Sequence, residues 1–133
     1  MISIKKIDHI VLRTANPKQM IAFYCDTLNC EVEREEEDLD LAQLRAGECL
    51  IDIVAVDGEL GKQGCSAPTS ESNNLDHFCL QIQSCDEQEL IDYLKGKNIA
   101  VGKFEGRYGA EGQGRSIYIN DTDGNTVELK LSE

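Results

Sequence analysis

Positive charge is scarce in this chain: 13 Lys and Arg stand against 25 Asp and Glu, a formal net charge of −12. Nucleic acid and anionic membrane surfaces are bound by clustered cations, so both are excluded as partners. The excess of carboxylates serves solubility, and the run Glu35-Glu36-Glu37-Asp38 reads as a solvated loop between strands. Long apolar runs are missing as well. Nothing approaches the ~20 residues that a membrane helix requires, and the segment from Met1 to Lys6 has no signal-peptide core. Six cysteines are present, but no two have C-x-x-C spacing, which rules out a zinc knuckle or a thioredoxin-type motif. The expectation is free thiols in a reducing cytoplasm. Histidine occurs only twice, at His9 and His77.

What the chain does have is an internal repeat. The stretch Leu75–Ile82 alternates as a strand, with Leu75, His77, Cys79 and Gln81 on one face and Phe78, Leu80 and Ile82 on the other. Ile7–Arg13 carries the same Asp-His pair and the same alternation, with His9, Val11 and Arg13 sharing a face. A chain of 133 residues makes one domain, here built from two versions of one unit. Module one covers about 1–57, a Gly/Ser/Asn-rich linker about 58–74, and module two about 75–133.

In module one, Asn16-Pro17 opens a helix that Asn29 closes. Strands follow at 31–35, 39–45 and 49–56. Module two repeats the order: a cap at Ser84-Cys85-Asp86, then a helix with Leu90, Ile91, Tyr93 and Leu94 facing inward. A strand is expected at 99–103. The segment Gly106–Arg115, with four glycines and two arginines, reads as a flexible loop offering amides and guanidinium groups to an anion. Strands at 116–120 and 126–131 end the chain. Asp52 is the oddity of module one, a carboxylate amid Leu, Ile and Val that costs free energy unless a cation meets it.

Each module thus supplies a histidine on its first strand and a carboxylate on its last: His9 and Asp52, then His77 and Glu128. Two imidazoles and two carboxylates suit one divalent ion of borderline hardness, Zn²⁺, Ni²⁺, Mn²⁺ or Fe²⁺.

These features resemble the vicinal oxygen chelate superfamily, which includes glyoxalase I, fosfomycin-resistance enzymes, extradiol dioxygenases and bleomycin-binding proteins. The resemblance covers essentially the whole chain. It rests on Asp8-His9-Ile10-Val11-Leu12, Phe23-Tyr24, Asp76-His77-Phe78 and Asp121-x-Asp123-Gly124-Asn125-x-x-Glu128-Leu129. It implies an α+β fold of two βαβββ modules forming a cup-shaped mixed sheet with helices outside, and a homodimer. By motif position His9, His77 and Glu128 match the family's metal ligands. Asp52 falls where glyoxalase I has a glutamate that is both ligand and base. Arg13 matches an arginine used on glutathione. Ser116 and Tyr118 stand where fosfomycin-resistance enzymes touch substrate, and Arg107 and Arg115 flank them as anion anchors. The implied function is a metal-dependent glyoxalase-like lyase or isomerase acting on a small anionic substrate, with Asp52 and Glu128 as catalytic carboxylates. The alternatives are a fosfomycin-type epoxide-opening enzyme and, third, a metal-free drug-binding protein.

Overall fold

The computed structural model describes residues 1–71 and 73–133, which divide by internal contact into two units, Met1–Thr69 and Ser70–Glu133. Each unit is a βαβββ module, and together they give the expected α+β fold class.

Unit one runs β1 (His9–Thr14), α1 (Pro17–Ala22), β2 (Glu31–Glu36), β3 (Leu41–Ala46) and β4 (Cys49–Ala55). Its sheet has the order β1-β4-β3-β2, with β1 parallel to β4 and the remaining pairs antiparallel. Pro17 starts α1 as the sequence suggests. Asn16, however, makes no side-chain cap, and its backbone N–H donates instead to Thr14 Oγ1 at 2.9 Å. The helix runs on into a π-helical turn, Phe23–Thr27, and stops at Asn29 with φ 57°. Met20 and Tyr24, both fully buried, join Ile51 and Ile53 of β4 in the core, with Phe23 edge-on to Tyr24. Burial of such side chains stabilises by about 1.5–3 kcal/mol each. The acidic run is part strand and part 3-10 turn: Glu35 and Glu36 finish β2 and Glu37–Leu39 form the turn.

Unit two repeats the plan with β5 (His77–Ile82), α2 (Glu87–Gly96), β6 (Glu105–Gly109), β7 (Gly112–Asn120) and β8 (Thr126–Leu131), in the order β5-β8-β7-β6. Asp86 caps α2 by accepting from the N–H groups of Gln88 and Glu89 at 2.9 and 3.0 Å. Leu94 is the fully buried residue of α2, while Ile117, Ile119, Val127 and Leu129 form the apolar side of β7 and β8. Tyr93 is not inward. It is exposed, with the Lys97 ammonium 5.8 Å from its ring centre.

Two expectations are corrected here. Residues 99–103 form no strand, because Ile99 N–H closes the end of α2 on the Leu94 carbonyl and the segment makes no ladder. The segment Gly106–Arg115 is also not a flexible loop. It is a β-hairpin, with Glu105–Gly109 paired residue by residue to Gly112–Ser116 across the two-residue turn Ala110-Glu111. Its ladder uses amides that a loop would have left for an anion.

Candidate functional site

The repeat extends to the hydrogen-bond register. In unit one His9 pairs with Leu50, which puts Asp52 two residues further along β4, opposite Val11. In unit two His77 pairs with Thr126, which puts Glu128 two residues further along β8, opposite Cys79. Period-2 alternation then sets each histidine and its carboxylate on one face of their own sheet.

The side chains around His77 in unit two are tightly tied. His77 Nδ1 lies 2.7 Å from Asp76 Oδ2, and its Nε2 lies 3.2 Å from Glu128 Oε2. Glu128 is buried, and its other oxygen accepts from the Ser116 hydroxyl at 2.6 Å. Arg107 Nη1 donates to Ser116 Oγ at 3.0 Å and to the Ser116 carbonyl at 2.7 Å, so the single hydroxyl proton is left to point at Glu128. The Arg107 guanidinium stacks 4.2 Å from the Tyr118 ring centre, and that ring stands edge-on to His77 at 5.2 Å. Asp76, His77, Glu128, Ser116, Arg107 and Tyr118 therefore form one continuous cluster. Both nitrogens of His77 thus face carboxylates.

In unit one His9 Nδ1 lies 2.7 Å from Asp8 Oδ1. That hydrogen bond, and then the charge of Asp52, hold the His9 imidazole above its ordinary pKa, while Asp8 is held below its own by the same bond. Asp52 is only 4% exposed. Its Oδ2 accepts from Gln43 Nε2 at 3.1 Å, and its Oδ1 is buried with no hydrogen-bond partner. A buried carboxylate oxygen without a donor is costly unless something binds there. Within each unit, among the described residues, no three His, Cys, Asp or Glu side chains form a metal-holding group.

The remaining candidate residues divide by their partners. Arg13 is committed to backbone: its guanidinium donates to the carbonyls of Gly61, Cys65 and Ser66 at 2.9–3.1 Å and pins the segment after β4 to its own sheet. Arg115 forms a two-pronged pair with Glu87 at the start of α2, at 2.6 and 3.0 Å. It shares the α2 side of β7 with Ile117 and Ile119, opposite Ser116 and Tyr118. In unit two Arg107, Ser116 and Tyr118 stand together with Glu128, and Arg115 does not. The Cys79 side chain reaches solvent, yet its thiol is pushed up to about 11, by desolvation first and by Glu128 second.

Sequence reasoning passed over one kind of participant. Asp8 and Asp76 are legible as motif letters, and the structure shows that each engages the Nδ1 of the histidine that follows it.

Comparison with known proteins agrees with the two-module fold. The sequence profile of the Glyoxalase/Bleomycin resistance protein/Dioxygenase superfamily matches residues 6–129. Among solved structures, an integron cassette protein from the mobile metagenome of V. cholerae is 19% identical with a TM-score of 0.76, covering 100% of this chain and 99% of that one. A virulence protein of Salmonella typhimurium is 22% identical with a TM-score of 0.75, covering 99% and 100%. The fosfomycin resistance protein FosX of Listeria monocytogenes, in a mutant complexed with Mn(II) and 1S,2S-dihydroxypropylphosphonic acid, is 22% identical with a TM-score of 0.70, covering 96% and 90%. At these identities the likeness is one of fold.

Proposed function

Since the chain belongs to the Glyoxalase/Bleomycin resistance protein/Dioxygenase superfamily, we propose that it is a metal-dependent, glyoxalase-like lyase or isomerase. Its substrate is a small anionic molecule with adjacent oxygens. His9, His77 and Glu128 hold one divalent ion, and Asp52 is the fourth ligand or the general base.

The observation that carries this reading is the His77–Glu128 pair. Two donors bound at about 2.1 Å to one ion stand roughly 3.0–3.4 Å apart, and His77 Nε2 is 3.2 Å from Glu128 Oε2. The hydrogen-bonded Asp76 fixes the imidazole with Nε2 as the free donor atom, an outer-shell device typical of metal sites. Asp8 does the same for His9, and the unsatisfied Asp52 Oδ1 fits a ligand or a base. The reading takes one half-site of each kind per ion, drawn from one chain or from two chains of a homodimer. Bound there, Zn²⁺, Ni²⁺, Mn²⁺ or Fe²⁺ supplies Lewis-acid polarisation of the substrate's paired oxygens.

The residues of the chain do the rest. Ser116 holds one oxygen of Glu128 in place, and Arg107 holds Ser116. Asp52 Oδ1 has no donor to displace, so it can take a proton from carbon or water set before it. The Tyr118 ring and the Arg107 fork above it border the same face and orient the substrate's anionic group. The six free thiols support a reducing compartment such as the cytoplasm. A second reading, opening of an epoxide as in fosfomycin resistance, is favoured by Ser116 and Tyr118 sharing that face with Glu128.

The test is turnover by the untagged protein loaded with each ion in turn, using the hemithioacetal of methylglyoxal and glutathione and, separately, fosfomycin. Turnover of the first that is lost in Glu128→Gln is expected. Turnover undiminished in Glu128→Gln or after chelation contradicts the proposal, and epoxide opening that requires Ser116 promotes the second reading.

A further inference from the structure

Gln43 stands directly across the β3–β4 ladder from Asp52 and shares its face. Its Nε2 donates to Asp52 Oδ2 at 3.1 Å. An ionised carboxylate only accepts, so the amide must turn its nitrogen to Asp52. Cross-strand partners have Cβ atoms about 4.5–5.5 Å apart, and Gln is longer than Asp by one methylene. The longer side chain therefore comes alongside the shorter one and meets it from the β3 side.

The bond sets the rotation of the carboxylate. The terminal torsion of an aspartate is intrinsically broad, and Asp52 lies among the buried apolar residues Ile51, Ile53 and Val54, which do not tell its two oxygens apart. In the sheet β4 lies between β3 and β1. With Oδ2 turned to β3, the planar carboxylate sets Oδ1 on the opposite side, where the neighbouring strand is β1, which carries His9.

The internal repeat gives the same task to a different residue. In unit two the slot across from Glu128 is Tyr118, and the donor to Glu128 is Ser116, two residues away along β7 and opposite Lys130. The unit-one counterpart of Ser116 is Leu41, opposite Val54, whose side chain has nothing to donate. Glu128, longer by a methylene, takes its donor from one step along the face. Asp52 takes its donor from directly opposite.

From this we infer that Gln43 is the positioning residue of Asp52: it keeps Oδ2 and so presents Oδ1 as the single oxygen that Asp52 offers to the divalent ion. The inference rests on the metal reading above and assigns Asp52 to the ligand set as a one-oxygen ligand.

Manganese titration followed by electron paramagnetic resonance tests it, on untagged wild type, Gln43→Met, Asp52→Asn and the double variant. Gln43→Met keeps the length of the side chain and loses the donor. It is expected to weaken manganese binding about tenfold or more, as loss of an outer-shell partner does. In the Asp52→Asn background the same change is expected to add less than about twofold. At saturating cobalt(II), Gln43→Met is expected to shift the visible bands in the direction that Asp52→Asn shifts them. If Gln43→Met does not fold, Gln43→Asn, which keeps the amide but is one methylene short, is compared in the same way. Affinity and cobalt spectrum equal to wild type in Gln43→Met overturn the inference, as does a weakening of the same size in the Asp52→Asn background. Manganese binding untouched by Asp52→Asn overturns it as well and leaves His77 and Glu128 standing. A wild type that takes up no manganese overturns the metal reading and the role of Gln43 with it.

Discussion

Replacing Ser116 with Ala removes one oxygen atom and isolates the link between Arg107 and Glu128. Ser116 is fully buried, Glu128 is 6% exposed, and the hydroxyl donates to the carboxylate at 2.6 Å. A hydrogen bond to a charged group contributes about 1.5–3 kcal/mol, and a methyl in place of the hydroxyl recovers little of it. Arg107 keeps the Ser116 carbonyl and the Tyr118 ring, so it stays in place and adds nothing further to the loss. The net cost in the metal-free protein is about 2 kcal/mol. With a urea slope of ~2 kcal/mol/M, the midpoint falls by about 1 M at unchanged slope. The same variant should bind manganese about 10–100-fold more weakly, the range for loss of an outer-shell partner. Urea unfolding in chelator, followed by manganese titration, measures both. A midpoint and an affinity both equal to wild type would refute the assignment of Ser116 to Glu128.

Other consequences follow from single contacts. Gly61→Ala places a Cβ 1.8 Å from the Ala55 carbonyl oxygen, a clash with backbone that cannot rotate away; it should cost about 3 kcal/mol or more, seen as a large fall in melting temperature, and a wild-type melt would contradict the packing. Arg115 holds the Glu87 carboxyl below the ordinary glutamate range, chiefly as hydrogen-bond donor. A carboxylate depressed on folding stabilises above its unfolded pKa, and that contribution is lost as pH falls through the folded one. Arg115→Ala should therefore be less stable than wild type at neutral pH, and the gap should close in acid; a gap that widens on acidification would contradict the pairing. Cys30 is buried and its thiol is pushed up to about 11 by desolvation, so at pH 7.5 iodoacetamide should label exposed Cys65 well before Cys30, as read by peptide mass mapping.

Where the signal is local, the sequence is readable. His9 and His77 stand in strands whose alternation is complete within six residues, and Asp52 and Glu128 follow from the same period of two. Asp86 and Asn29 carry their cap and left-handed roles in their own chemistry. Misreadings arose where a distant residue decides. The glycines of β6 and β7 have low strand propensity and read as loop, because the Lys130 side chain that fills their trough comes from another strand. A loop there gives Arg115 no face, whereas the strand pattern Arg115, Ile117, Ile119 puts it on the helix side. Arg13 is similar: its three carbonyl partners lie about fifty residues away, in a segment with no periodicity. Tyr93 has helical spacing with Leu90 and Leu94, but its ring and hydroxyl serve equally well at the surface under Lys97.

The most direct test of the metal assignment is the divalent metal content of the untagged protein and of the His9→Ala/His77→Ala double variant, measured by elemental analysis after loading and gel filtration. About one ion per chain is expected in the wild type, as one His/carboxylate set implies, and background in the double variant with its fold retained. Full occupancy in the double variant would contradict the site.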